Sequence, residues 1–208
     1  MATRSTYVVP ILALLGAMAC GDGATAPGED LALDPVELSL DAMQRGEAAP
    51  RSEDAQIPTL QRLLHQAIER VRSEQGDQAA RRLLAPIHQL LVEAREARLR
   101  GDLATARQKL HEANLHAARI IVHVFGPQVA SRLAAAVESG LAELEAIIAA
   151  REEAGEDVTA LRRAAHAIGV RHAEMERAIA LRAYPRAVLL GAHALDFLRR
   201  IIAGAGGR

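Results

Sequence analysis

The 208-residue chain has no tryptophan, two phenylalanines, two tyrosines and a single cysteine. Each scarcity excludes something. Without aromatic side chains there is no platform on which unpaired bases would stack, so nucleic acid is not an expected partner. One cysteine makes no intrachain disulfide and no cysteine-based metal or redox site. HExxH, CxxCH, HxH, the paired-carboxylate ExxH pattern of di-iron bundles, a glycine-rich phosphate loop and a nucleophile motif are all missing. The expectation is a protein that is not an enzyme and needs no cofactor.

Half of the residues are hydrophobic, and with so few aromatics the core has to be built from alanine, leucine, isoleucine and valine. Small core residues let helices approach toward the short end of the roughly 8–10 Å interaxial range. Alanine, leucine, arginine and glutamate dominate, and all four are strong helix formers. The expected class is all-α. The net charge of −1 hides an uneven spread. Between Glu29 and Asp54 eight acids face two arginines, whereas from Ile57 onward 22 basic residues face 17 acidic ones. A mildly basic body behind an acidic leader reads mainly as solvated faces, with an anionic partner as the sharper alternative.

At the N-terminus Arg4 precedes an apolar run from Val8 to Ala19. Its twelve residues fall short of the roughly 20 that a bilayer-spanning helix needs, and they suit the core of a signal peptide. The run ends in Ala17-Met18-Ala19-Cys20, followed by a small, polar, Gly/Pro-containing stretch. Over about the first 28 residues this pattern resembles the signal peptide and lipobox of bacterial lipoproteins, departing from it at Ala17, where leucine is usual. The resemblance implies that residues 1–19 are a removed signal peptide. It also implies that Cys20 is lipidated, becomes the first mature residue and anchors the chain in the cell envelope, facing the periplasm or the exterior. By resemblance to the enterobacterial sorting rule, Gly21 after the cysteine implies outer-membrane delivery, while residue type alone leaves inner and outer membrane both open. Ordinary cleavage after the A-x-A site Ala17-Met18-Ala19 is the alternative and leaves a soluble secreted protein. Cys20 is the only cysteine and stands where lipidation needs it, which favours the anchor.

Residues 20–56 then read as the lipidated cysteine and an acidic flexible linker containing Pro27, Pro35 and Pro50. Within it Val36, Leu38 and Leu40 alternate with polar residues and Met43 follows, so this part packs locally or extends as a short strand.

From Ile57 the periodicity is helical throughout, and six helices are expected. The first, about Pro58 to Glu74, carries Ile57, Leu60, Leu64, Ala67 and Val71 on one stripe. The second, about Gln78 to Arg100, carries Leu83, Ile87, Leu90, Ala94 and Ala97, with Pro86 expected to kink or restart it. The third carries Leu103, Ala106, Leu110, Ala113, Ala117, Ile120 and Val124 as a heptad seam. The fourth, from Pro127 to about Ala154, turns Leu133, Val137, Leu141, Leu144 and Ile148 inward. The fifth follows Asp157 with Val158, Leu161, Ala165, Ile168, His172, Met175 and Ile179. The sixth runs from Pro185 to Ile202 and is apolar on most sides, which fits burial in the bundle or, alternatively, a homodimer face. The final GAGGR is expected to be disordered.

The stretch from Arg100 to Ile121 returns 81 positions later as Leu181 to Ile202, and the same offset pairs the first three helices with the last three without a gap. Identical pairs include Leu60/Leu141, Arg81/Arg162, Arg82/Arg163, Ile87/Ile168 and Ala113/Ala194. The expected architecture is therefore an antiparallel up-down helical bundle of about six helices, built from two 81-residue three-helix pseudo-repeats. Residues 57–126 would form the first unit and 127–208 the second, in one bundle.

Eight histidines are the main candidates for chemistry. His65, His88, His111 and His166 fall beside the seams, toward solvent. His116 and His123 flank the third seam about 10 Å apart along a helix, too far to grip one ion directly. Glu112 and His116, at i and i+4, would make half a metal site or an ordinary ion pair. His172 occupies a seam position where its counterpart Leu91 is apolar, and a buried imidazole needs hydrogen-bond partners. The ligand-binding candidates are thus His172, His116 and Glu112, with the identity of any metal open. Two readings follow. One is a non-catalytic, lipid-anchored binding or scaffolding module of the cell envelope, with an envelope protein partner on the arginine-rich faces of Arg81, Arg82, Arg162 and Arg163. The other is a bundle that binds a metal or small ligand through histidines.

Overall fold

The computed structural model describes residues 57–206, with side chains through Ala205. The expected signal peptide, Cys20 and the acidic linker lie outside the described residues. Within them the chain is all-α: α1 Pro58–Gln75, α2 Asp77–Leu99, α3 Leu103–Phe125, α4 Gln128–Glu153, α5 Thr159–Ala180 and α6 Tyr184–Gly206. No single helix among the described residues is long and apolar enough to cross a membrane. The chain divides between Val129 and Ala130 into two compact units. The first holds α1 to α3, and the second holds nearly all of α4 together with α5 and α6.

In the first unit α1 starts with Pro58 at its first turn, where the missing N–H costs nothing. Arg72 pairs with Glu69 and reaches across the following turn to Asp77 at 2.9 Å. The α2–α3 turn closes with two backbone bonds, Gly101 N–H to the Arg98 carbonyl and Asp102 N–H to the Ala97 carbonyl, both 2.9 Å. This is the Schellman pattern that satisfies the last carbonyls of a helix, and it places Gly101 at φ 77°. Asp102 then caps α3 by accepting the Thr105 N–H at 3.0 Å.

The α1 stripe packs as its spacing predicts, with Ile57, Leu60, Leu64, Ala67 and Val71 all buried. Full burial of a leucine or isoleucine contributes roughly 1.5–3 kcal/mol, so this stripe is a main source of the unit's cohesion. On α2 the inward leucines are Leu84 and Leu91, not Leu83 and Leu90, which are only half-buried. α2 also runs unbroken through Pro86. Pro86 and Arg82, whose carbonyl loses the helical bond, are both exposed, so water can take that carbonyl. On α3 Leu103 does not join the seam. It is 54% exposed, because it opens the helix at the turn tip instead of facing the core.

The second unit is organised around α6. Ala187, Val188, Leu189, Ala192, Ala194, Leu195, Leu198 and Ile201 are all buried, covering most of its circumference. Gly191 is a tightly packed point of that surface, as is Gly140 on α4, where a Cβ would lie 2.9 Å from Leu198 Cδ1. A Cβ at Gly191 would lie 3.1 Å from Leu133 Cβ on α4 and 2.7 Å from Met175 Cε on α5. The α5–α6 turn is closed by Arg182 N–H to the Ile179 carbonyl, 2.9 Å, and Ala183 N–H to the Ala178 carbonyl, 2.8 Å. These four groups stand 81 positions after their counterparts in the α2–α3 turn. Here, however, the left-handed position holds Arg182, at φ 58°, instead of glycine. The tail expected to be disordered is helical as far as Gly206. Arg151 on α4 donates to the Ala205 carbonyl and pairs with Glu156 at 3.2 Å, tying the end of α6 to α4.

Candidate functional site

The second unit carries an open groove of about 700 Å³ between α4 and α5. Helical spacing assembles both walls. Leu141, Glu145, Ile148 and Glu152 follow one another on α4 at three- and four-residue intervals, and Ala165, Gly169 and Ala173 follow one another on α5 at four-residue intervals. Small residues on one wall leave depth, while Leu141 and Ile148 give the other an apolar surface. Arg162 bridges from α5 to Glu152 on α4 and closes one end with an ion pair. His166 and Glu145 add polar groups at the exposed margin, and Val170 stands 48% exposed beside them.

Gly169 is the informative residue. It lies inside α5, where glycine costs roughly 0.8–1 kcal/mol relative to alanine. A Cβ there would meet nothing within 4 Å. No neighbouring helix requires the missing side chain, unlike at Gly191. The groove keeps its depth at the expense of helix propensity.

The histidine candidates are distributed differently. His116 and Glu112 lie on α3 in the first unit, and His172 on α5 in the second. Glu112 does not turn to His116. It accepts from Gln108 at 3.0 Å and lies 3.6 Å from Lys109 Nζ. Lys109 in turn reaches Glu93 on α2 at 2.8 Å. That hydrogen bond holds the Glu93 carboxyl below its ordinary range, with Gln89 adding to the effect. The same bond raises the Lys109 ammonium above its ordinary value. His172 is half-buried, and its Nε2 is buried without a hydrogen-bond partner. His65, His88, His111, His123 and His166 are exposed. Among the described residues no group of three or more His, Cys, Asp or Glu side chains is placed to hold a metal ion.

Sequence reasoning singled out Arg162 but missed the groove it closes. The readable signal was Gly169, an isolated glycine inside an otherwise regular helical pattern. Asp196 was also missed. It is buried on α6 and pairs with Arg199 at 3.6 Å. Comparison with family models, with curated proteins and with solved structures found no match to the chain.

Proposed function

We propose that the chain is a non-catalytic, lipid-anchored helical module of a bacterial cell envelope that binds a protein partner. The anchor rests on Cys20, the sole cysteine, set directly behind a short apolar run and an A-x-A site. The binding role rests on one observation above all, the open groove on Gly169. An apolar wall, a wall of small side chains and a charged margin suit an amphipathic helix or extended segment laid between α4 and α5. The two units descend, in this reading, from one duplicated 81-residue ancestor, supported by matching bonds in the α2–α3 and α5–α6 turns.

A photo-crosslinking amino acid at Val170 tests the groove in living cells. One discrete adduct is expected, and it should vanish when Gly169→Leu fills the floor without disturbing the fold. The same adduct from a crosslinker at exposed Arg132, or its persistence in Gly169→Leu, would remove the groove from the account. Fatty-acid labelling tests the anchor separately, with label expected on the parent and none on Cys20→Ser. Cleavage without acylation would instead leave a soluble secreted protein.

A second reading, a small ligand or metal held by a histidine, is supported by the unpartnered Nε2 of His172. A thermal shift with zinc, copper or nickel that disappears in His172→Leu would favour it.

A further inference from the structure

Among the described residues the large apolar side chains are mostly buried or half-buried, and the exceptions gather. Among the described residues those left exposed are Val92, Leu99, Leu103, Val170 and Leu181. Three of these five stand at two places. Leu99 and Leu103 flank the α2–α3 turn, 79% and 54% exposed, and Leu181 forms the α5–α6 turn, 74% exposed. Single exposed leucines are ordinary on any surface. Here each turn also carries arginines. Three arginines and no acid lie from Arg177 to Arg186, and four arginines and two acids from Arg95 to Arg107.

The backbone adds an independent observation. Arg182 occupies a left-handed conformation that Gly101 fills in the other turn. Glycine takes that conformation without a Cβ clash and arginine does not. A strained side chain held at an exposed tip, where glycine would close the same turn, points to a use for its guanidinium.

We infer that each of these turns, taken within its own unit, is a contact tip for an anionic lipid bilayer. Leu181 and, on the other turn, Leu99 and Leu103 enter the boundary between headgroups and acyl chains. Arg182, Arg177 and Arg186 stay at headgroup level and pair with lipid phosphates, as Arg100 does at the first turn. An acidic protein surface would satisfy the arginines equally well. It gives no role to leucines that project from convex tips, which a bilayer interface admits without a preformed pocket. Two acids stand near the first turn: Asp102, which is committed to capping α3, and Glu96, which lies 4.0 Å from Arg100 in a loose exposed ion pair. The tips extend the anchored reading by giving the helical body its own hold on the membrane, but they do not require the lipid on Cys20.

Flotation of the full-length Cys20→Ser chain with vesicles tests this with no acyl chain present. Binding to phosphatidylglycerol-rich vesicles is expected at low salt. It should be weak on phosphatidylcholine and lost at high salt, where screening shortens to about 3 Å at 1 M. Leu181→Ser with Arg182→Gly should weaken binding about tenfold or more, and Leu99→Ser with Leu103→Ser tests the tip of the first unit separately. The apolar run Val8 to Ala19 is common to parent and variants and cancels in the comparison. Arg182→Gly alone should raise thermal stability while lowering vesicle binding, so misfolding cannot mimic the result. Unchanged binding by the tip variants on phosphatidylglycerol-rich vesicles overturns the inference. Absence of fatty acid on Cys20 would count only against the anchor.

Discussion

A buried ring nitrogen with no partner forgoes its hydrogen bond to water, a loss of roughly 1–3 kcal/mol. Nε2 of His172 is in that position. Its counterpart in the first unit, Leu91, is 1% exposed and packs without any polar atom. His172→Leu is therefore expected to stabilise the chain by about 1 kcal/mol, read as a higher urea midpoint. A lower midpoint would mean that Nε2 is engaged by a group that leucine cannot replace. Arg182 invites a comparable substitution. An L-residue in the left-handed region costs roughly 1–2 kcal/mol relative to the right-handed one, so Arg182→Gly should gain about 1 kcal/mol despite the greater freedom of glycine when unfolded. The reverse change, Gly101→Arg, should lose a similar amount at the equivalent turn. Sequence alone marks His172, because a polar residue interrupts an apolar seam. It cannot mark Arg182, because nothing in the residue type reports a backbone angle.

Two glycines inside helices separate packing from function at the level of the elements. Gly191 sits where α6 packs directly on Leu133 of α4 and Met175 of α5. Alanine there must displace Met175 and press on Leu133 Cβ, an overpacking cost of typically 1–3 kcal/mol. That exceeds the roughly 1 kcal/mol gained in helix propensity, so Gly191→Ala should destabilise. At Gly169 the same change meets no atom and should stabilise by roughly 0.5–1 kcal/mol, visible as a rise in Tm. The helices themselves were legible in sequence because apolar residues recur at helical spacing between glycine breaks, and every residue expected on the α1 stripe is buried, although Ile68 and Thr59, buried beside it, were not on it. The α2 stripe was misread at Leu83 and Leu90, since adjacent leucine pairs, Leu83-Leu84 and Leu90-Leu91, fit the period almost equally well and packing decides between them. Leu103 was misread because a turn tip ends the periodic face one step earlier than the residue type suggests. The groove was not legible at all. It depends on the gap between two walls, and periodicity reports each helix face alone.

At the scale of the molecule, four groups among the described residues are shifted by folding and make stability fall at both ends of the pH scale. Asp102 in the first unit is held below the ordinary aspartate range by hydrogen bonds from the Thr105 side chain and then its backbone. Asp157 in the second is held down in the same way by Thr159, and Glu93 by Lys109. A carboxyl lowered by folding contributes stability that is present above its unfolded value, about 4, and is lost as pH falls through the folded one. Acid should therefore loosen both units, and Asp102→Asn with Asp157→Asn should flatten that limb. Lys109 works in the opposite sense. It is the only lysine in the chain, and its raised value makes its contribution present below the unfolded value, about 10.4, and lost as pH climbs beyond it. Because Lys109 joins α3 to α2 through Glu93, this alkaline loss belongs to the first unit alone. Urea midpoints followed by circular dichroism across the pH range should show both limbs in the parent. Lys109→Arg keeps the positive charge and does not titrate in this range, so the alkaline limb should disappear in that variant while the acid limb stays. An alkaline limb that survives the substitution would trace that loss to a group other than the Lys109–Glu93 bridge.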